Sequence, residues 1–192
     1  MILSLIRHGK TEANEKRLYC GWTDLPLSPS GEEELYQLKG EIVYPRGELY
    51  ITSGLLRTTQ TMNILFDNPK IKVMNNLREM HFGNFEMHSY NELKHNDDYL
   101  SWISGIEHVS PPFGESKQIF KKRVINGLYE IMQYCNSKKV ETVVIVTHGG
   151  VIATLMEFFC PGQKDFYEWQ PSLGRGYSIT IHELNNIKYK HI

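Results

Sequence analysis

The sequence predicts a three-layer α/β/α sandwich on a mostly parallel sheet, with an antiparallel edge. Three observations carry this prediction. Short apolar runs alternate with amphipathic stretches of helical period, the pattern of successive βα units. Two of the apolar runs end alike, in Arg7-His8-Gly9 and in Thr147-His148-Gly149-Gly150. The C-terminal stretches Tyr177–Glu183 and Ile187–His191, joined through Asn185-Asn186, read as a closing hairpin. Ligands bind at the carboxyl ends of strands in an open parallel sheet, so both histidines are expected at one rim.

The elements follow in order. Residues 1–6 are mostly apolar and too short for a helix, so they form the first strand. The chain from there through Asp24-Leu25-Pro26-Leu27 reads as irregular. Ser28 caps a helix, Pro29 fits its first position, and Glu32, Glu33 and Glu34 suit the positive end of its dipole. Leu35, Leu38 and Ile42 mark its buried face. Leu49–Ser53 is a second strand closed by Gly54, and Leu55–Phe66 a helix stopped by Asp67-Asn68-Pro69. Arg57 thus lies in a helix's first turn, just past a strand's end. Ile71–Met74 is a third strand.

Residues 77–115 differ in character, with Gly83, Gly105, Gly114, Pro111 and Pro112 among several aromatic residues and short helices at about 89–104. The segment reads as a small helical insertion, a lid over a site at the sheet edge, within a single domain spanning residues 1–192. Its aromatic residues Phe82, Phe85, Tyr90, Tyr99 and Trp102 divide between packing and a pocket wall. Ser116–Cys135 carries a clean apolar stripe of Phe120, Val124, Leu128 and Ile131. Thr142–Thr147 is the clearest buried strand, and Val151, Ile152, Leu155, Met156 and Phe159 mark the helix after it. Cys160-Pro161-Gly162 ends that helix.

Composition narrows the function. The 192 residues are 41% hydrophobic and 22% charged, as in a soluble globular protein. A net charge of −1 argues against a nucleic-acid partner. The first apolar run spans only residues 1–6 and gives neither a signal peptide nor a membrane span. Cys20, Cys135 and Cys160 lack any paired spacing and fit reduced thiols in a cytoplasmic protein. His81, His88, His95 and His108 are scattered without zinc-ligand spacing. No Walker-type glycine loop is present.

If His8, His148, Arg7, Arg57 and one carboxylate meet at the rim, the set suits phosphoryl transfer. The transferred group spreads negative charge over its equatorial oxygens, and catalysis is largely positioning plus electrostatic stabilisation. Guanidiniums fork onto those oxygens with permanent charge. A neutral imidazole nitrogen is a competent nucleophile. With arginines supplying the charge, neither a metal nor another cofactor is called for. An acid must protonate the leaving alkoxide.

Five stretches carry a family resemblance, in order along nearly the whole chain. They are Ile6–Asn14, Gly21–Ser28, Ser53–Thr61, Leu77–Glu86 and Val146–Gly150. Together they resemble the histidine phosphatase superfamily, the phosphoglycerate-mutase-like group. The resemblance implies that His8 is a nucleophile that becomes phosphohistidine and that Arg7, Arg57 and His148 complete a phosphate pocket. It makes Glu79 the acid and then the base, with Glu86 nearby as the alternative. Asn14 is either a phosphate contact or a turn residue. Gly114-Glu115-Ser116 also matches a family segment, with no role implied beyond starting the long helix. The chain departs at Met87, where many relatives carry glycine, and at Gly176-Tyr177-Ser178, where asparagine or cysteine often precedes the serine.

Mutase relatives usually carry a longer insertion and an asparagine after His-Gly. The short chain and Gly150 therefore favour a phosphomonoester hydrolase acting on a small phosphorylated metabolite. The run through Tyr19-Cys20-Gly21-Trp22 resembles α-ribazole-phosphate phosphatases of cobalamin assembly, which makes α-ribazole 5′-phosphate the candidate substrate. The alternatives are mutase-type transfer and a non-catalytic phospholigand-binding module. Oligomeric state is left open by the sequence.

Overall fold

A computed structural model of the chain describes residues 1–183 and 186–192. The strands are β1 (Ile2–Arg7), β2 (Leu49–Thr52), β3 (Ile71–Val73), β4 (Thr142–Thr147), β5 (Gly176–Glu183) and β6 (Asn186–His191). They form one sheet in the order β3-β2-β4-β1-β5-β6. β3, β2, β4 and β1 pair in parallel, whereas β5 runs antiparallel to β1 and β6 antiparallel to β5. The pairing of Tyr177 with His191 and of Ile181 with Ile187 makes the predicted hairpin. Asn185, where the sequence places part of its turn, lies outside the described residues.

Alternation along β4 explains the layers. Successive side chains of a strand point to opposite faces. Val143 and Ile145 enter one core with Leu3, Leu5, Leu128 and Ile152, while Val144 and Val146 enter a second with Ile6, Leu35, Met62 and Leu65. Both faces are covered, which is why the strand reads as an unbroken apolar run. Each fully buried aliphatic side chain contributes about 1.5–3 kcal/mol.

The helices are α1 (Glu12–Glu15), α2 (Pro29–Glu41), α3 (Leu56–Phe66), α4 (Tyr90–Leu93), α5 (Asp97–Ile103), α6 (Lys117–Lys138) and α7 (Gly149–Phe159). The residues of α2 and α3 line the second core, and those of α6 and α7 the first. Ser28 Oγ accepts the Gly31 N–H at 3.2 Å, so the predicted cap operates, and Ser116 Oγ caps α6 by accepting the Ile119 N–H at 3.2 Å. α6 continues past Cys135, where its apolar stripe stops, for one polar turn to a left-handed Lys139. α1 lies within the stretch read as irregular. It has no apolar stripe to betray it, and a capping box between Thr11 and Asn14 holds it.

Within the 77–115 segment, Phe85, Leu93, Tyr99 and Trp102 join the larger core, so these short helices share it rather than building their own. Tyr177, one of the two departures from the family pattern, is buried against Trp169, with ring centroids 5.7 Å apart. Among the described residues, no helix is long and apolar enough to cross a membrane.

Candidate active site

Register places the two histidines. Arg7 at the end of β1 lies opposite Thr147 at the end of β4, and the next residue on each strand is a histidine. The His8 N–H continues the ladder by donating to Thr147 O at 2.9 Å. The imidazole centroids of His8 and His148 are 5.2 Å apart, with planes at 62°.

His8 is buried, and its Nδ1 lies 2.7 Å from Gly9 O. A carbonyl only accepts, so Nδ1 carries the proton and Nε2 keeps its lone pair. Burial holds the imidazolium well below the usual histidine range; the Arg57 and Arg7 charges push the same way, and the Gly9 bond opposes them. His8 is therefore neutral near pH 7.

The Thr58 hydroxyl donates to Leu55 O at 2.7 Å, which commits its proton. Ser53 Oγ, 3.1 Å from Thr58 Oγ1, then donates to Thr58 and accepts from His148 Nε2 at 2.8 Å. His148 Nδ1 remains buried without a partner among the described residues. Its pKa is also depressed, first by burial and then by Arg57. Although His148 is the N-cap residue of α7, its side chain does not cap the helix.

These depressed values give stability a pH dependence. An unfolded histidine takes its proton near 6.5, whereas folded His8 and His148 do so only well below that. The unfolded chain therefore binds more protons on the acid side. The stabilisation is fully present above pH 6.5 and is lost as pH falls from there toward the folded values, by about 1.4 kcal/mol per pH unit for each histidine. Urea midpoints measured from pH 7 to pH 5 are expected to fall, and His148→Asn is expected to flatten the slope. An unchanged slope in that variant would count against the burial account.

Arg57, 1% exposed, donates to Thr23 O at 2.9 Å and Gly21 O at 2.6 Å. The same loop turns its N–H groups to Glu86. That carboxylate accepts from Gly21 N at 3.0 Å, Trp22 N at 2.9 Å, Thr23 N at 3.2 Å, Thr23 Oγ1 at 2.8 Å and Phe82 N at 3.0 Å. The loop's peptide dipoles thus bridge a guanidinium and a carboxylate. A Cβ on Gly21 would meet Met80 O at 1.7 Å, so only glycine allows this approach. Met87, just after Glu86, sits at φ 61°, the left-handed conformation that glycine adopts freely. Met87→Gly is expected to raise stability by up to about 1 kcal/mol in chemical denaturation, since non-glycine residues are penalised there.

Glu79 stands elsewhere. Its Oε2 accepts from Gly150 N, in the first turn of α7, at 2.9 Å, and its Oε1 from Met80 N at 2.9 Å. A Cβ on Gly150 would come 2.4 Å from Oε1, so that glycine leaves room for the carboxylate. Asn14 Oδ1 accepts from Thr11 N and Thr11 Oγ1, both at 3.0 Å, and serves the cap of α1. Asn14 also lines the cavity, so the turn role and a ligand contact are compatible.

The cavity holds about 470 Å³. Arg7, His8, Asn14 and Glu79 line one part of it, and Tyr19, Phe82, Trp102, Phe120, Phe166 and Tyr167 supply aromatic wall. Of the candidate aromatic residues, Phe85 and Tyr99 are buried in the core instead, and Tyr90 is exposed. Arg57 and His148 are not in the cavity lining; they are buried beside His8, close enough for the Arg57 charge to act on both imidazoles. Arg7 Nη1 donates to Pro171 O at 2.9 Å. Arg7 Nε, Arg57 Nε and His148 Nδ1 are all buried without hydrogen-bond partners among the described residues. Buried donors are normally paired, so the two unspent guanidinium N–H groups beside one imidazole call for an anion, whereas His148 Nδ1, with the ring proton on Nε2, offers only a lone pair.

Sequence reasoning missed Ser53 and the pair Arg123–Glu115. Glu115 lies in a matched segment to which no chemical role was given, and nothing in the local pattern points to Arg123.

The family model of the histidine phosphatase superfamily (branch 1) matches residues 3–189. An adenosylcobalamin/alpha-ribazole phosphatase of Escherichia coli is 32% identical over 163 residues, covering 81% of this chain and 77% of the relative. The crystal structure of the alpha-ribazole phosphatase from Shigella flexneri superposes with a TM-score of 0.86 at 26% identity, covering 99% of this chain and 95% of that one. A phosphoglycerate mutase from Thermus thermophilus gives a TM-score of 0.73 at 29% identity, covering 95% of this chain and 94% of that one.

Proposed function

The chain belongs to the histidine phosphatase superfamily, and from that membership we propose that it hydrolyses a small phosphomonoester through a phosphohistidine on His8. The observation that carries the reading is the placement of Arg7 and Arg57, each with a buried Nε–H that has no partner among the described residues, beside a neutral His8.

His8 Nε2 attacks phosphorus, an N–P bond forms, and the bond to the ester oxygen breaks. Arg7 and Arg57 stabilise the charge on the equatorial oxygens, with His148 packed edge-on against His8. Glu79, protonated, gives its proton to the leaving oxygen. The resulting carboxylate then takes a proton from water as that water attacks phosphorus. The N–P bond breaks, and inorganic phosphate leaves with His8 and Glu79 restored. Glu86 is the weaker candidate for this work, because its oxygens already accept five hydrogen bonds.

The substrate we propose is α-ribazole 5′-phosphate. The relatives named for it support this, as does the aromatic wall, on which a flat base can stack. Residues 77–115 act as the cover of the cavity within one domain. The setting is the cytoplasm, where the free Cys20, Cys135 and Cys160 stay reduced. A screen of phosphomonoesters tests the assignment: α-ribazole 5′-phosphate should give the highest kcat/KM. Rapid isomer exchange of 3-phosphoglycerate primed with 2,3-bisphosphoglycerate would instead make the protein a mutase.

A further inference from the structure

Arg123, in the second turn of α6, spends every donor it has. Nε and Nη2 fork onto Glu115 at 2.7 and 2.6 Å. Nη1 donates to Asn76 O and Arg78 O, each at 3.0 Å, and Nη2 donates also to Glu79 O at 3.2 Å. Glu115 in turn accepts the His81 N–H at 3.0 Å. The pair is largely buried, with side-chain exposures of 15% and 13%.

An ion pair serving only to tie α6 to the preceding loop would be complete with its two forked bonds. Here the remaining donors go to main-chain carbonyls at 76, 78 and 79, and the partner carboxylate holds residue 81. Residues 76–81 are thereby pinned on both sides of Glu79, and at Glu79 itself. Among the described residues, the Glu79 side chain has its own anchors only in the N–H groups of Gly150 and Met80. Where its carboxylate stands is consequently set by where this backbone stands.

We infer that Arg123, oriented by Glu115, is a positioning residue that fixes the Glu79 carboxylate at the leaving oxygen. The inference rests on the proposed acid role of Glu79. Lysine cannot replace the arginine, because an ammonium is a point charge and cannot hold a planar fork and three carbonyls together. A displacement of about 1 Å at a reacting group can cost about a hundredfold in rate.

The test exploits the two kinds of leaving group. p-Nitrophenolate departs without a proton, whereas the alkoxide of glycerol phosphate needs one. Formation of the acid-labile phosphoenzyme is followed by rapid quench in Arg123→Lys, Glu115→Gln and Glu79→Gln. Arg123→Lys and Glu79→Gln should each slow phosphoenzyme formation about a hundredfold with glycerol phosphate. With p-nitrophenyl phosphate the same variants should change it less than about threefold. Glu115→Gln, which keeps one acceptor oxygen but loses the other and the charge, should show the same split with a smaller loss. It decides the matter if Arg123→Lys does not fold. Equal losses on both substrates, or none on glycerol phosphate, would overturn the positioning role. If Glu79→Gln shows the split and neither partner variant does, the positioning role alone falls. If Glu79→Gln shows no split, the acid assignment falls and takes this inference with it.

Discussion

Replacing His8 with alanine is expected to lower phosphomonoester hydrolysis by about 10⁴-fold or more, the scale seen when a covalent nucleophile is removed. The substitution deletes Nε2, the atom proposed to attack phosphorus, which the Nδ1 bond to Gly9 O keeps unprotonated. The proposed phosphate-holding groups stay in place, since Arg57 is anchored by Gly21 O and Thr23 O and Arg7 by Pro171 O. The variant should therefore remain folded and still bind inorganic phosphate while forming no phosphoenzyme. Steady-state turnover, circular dichroism and phosphate titration read the three parts separately. Unchanged turnover in a folded His8→Ala protein would sink the nucleophile assignment.

The second large effect is expected at Glu86. Glu86→Ala leaves the N–H groups of Gly21, Trp22, Thr23 and Phe82 without their shared acceptor. Hydrogen bonds to a charged group are worth about 1.5–3 kcal/mol each in favourable settings, so a loss of about 3–5 kcal/mol in urea denaturation follows even with water recovering part of it. Activity should fall as well, because the loop that loses Glu86 also seats Arg57 through its carbonyls. The loss should be the same for p-nitrophenyl phosphate and for alkyl phosphates. A leaving-group-dependent loss with stability unchanged would make Glu86 the acid instead. Glu86→Ala combined with Arg57→Met should cost less than the two losses summed, as for residues in one network.

The architecture was legible because its signals are local. β4 is an uninterrupted apolar run, and Ser28 and Ser116 cap their helices as their positions require. Departures came where no apolar stripe exists. α1 depends on a side-chain exchange between Thr11 and Asn14, and the last turn of α6 is polar. The candidate residues Arg7, His8, Arg57, Glu79 and His148 could be named from their strand-end positions and family segments. What they touch could not. That Glu86 feeds five hydrogen bonds while Glu79 rests on the first turn of α7 depends on how two loops fold against each other. Arg123 was invisible for the same reason: its partners lie up to 47 residues away in sequence.

The central place of β1 has a temporal side. Ile2 pairs with Thr142 on one flank and with Thr180 on the other. Of the six strands, the one made first therefore waits for the fourth and fifth. At roughly 5–20 residues per second of synthesis, it waits on the order of ten seconds or more for β4. Contacts so far apart in sequence are slow to close, whereas α2 with α3, and α6 with α7, pack from shorter separations. Until β1 docks, the two imidazoles share no surroundings, and their depressed proton affinity has no cause. On refolding, helical circular dichroism is expected to recover before catalytic turnover, the interval between them timing the closure of the middle of the sheet.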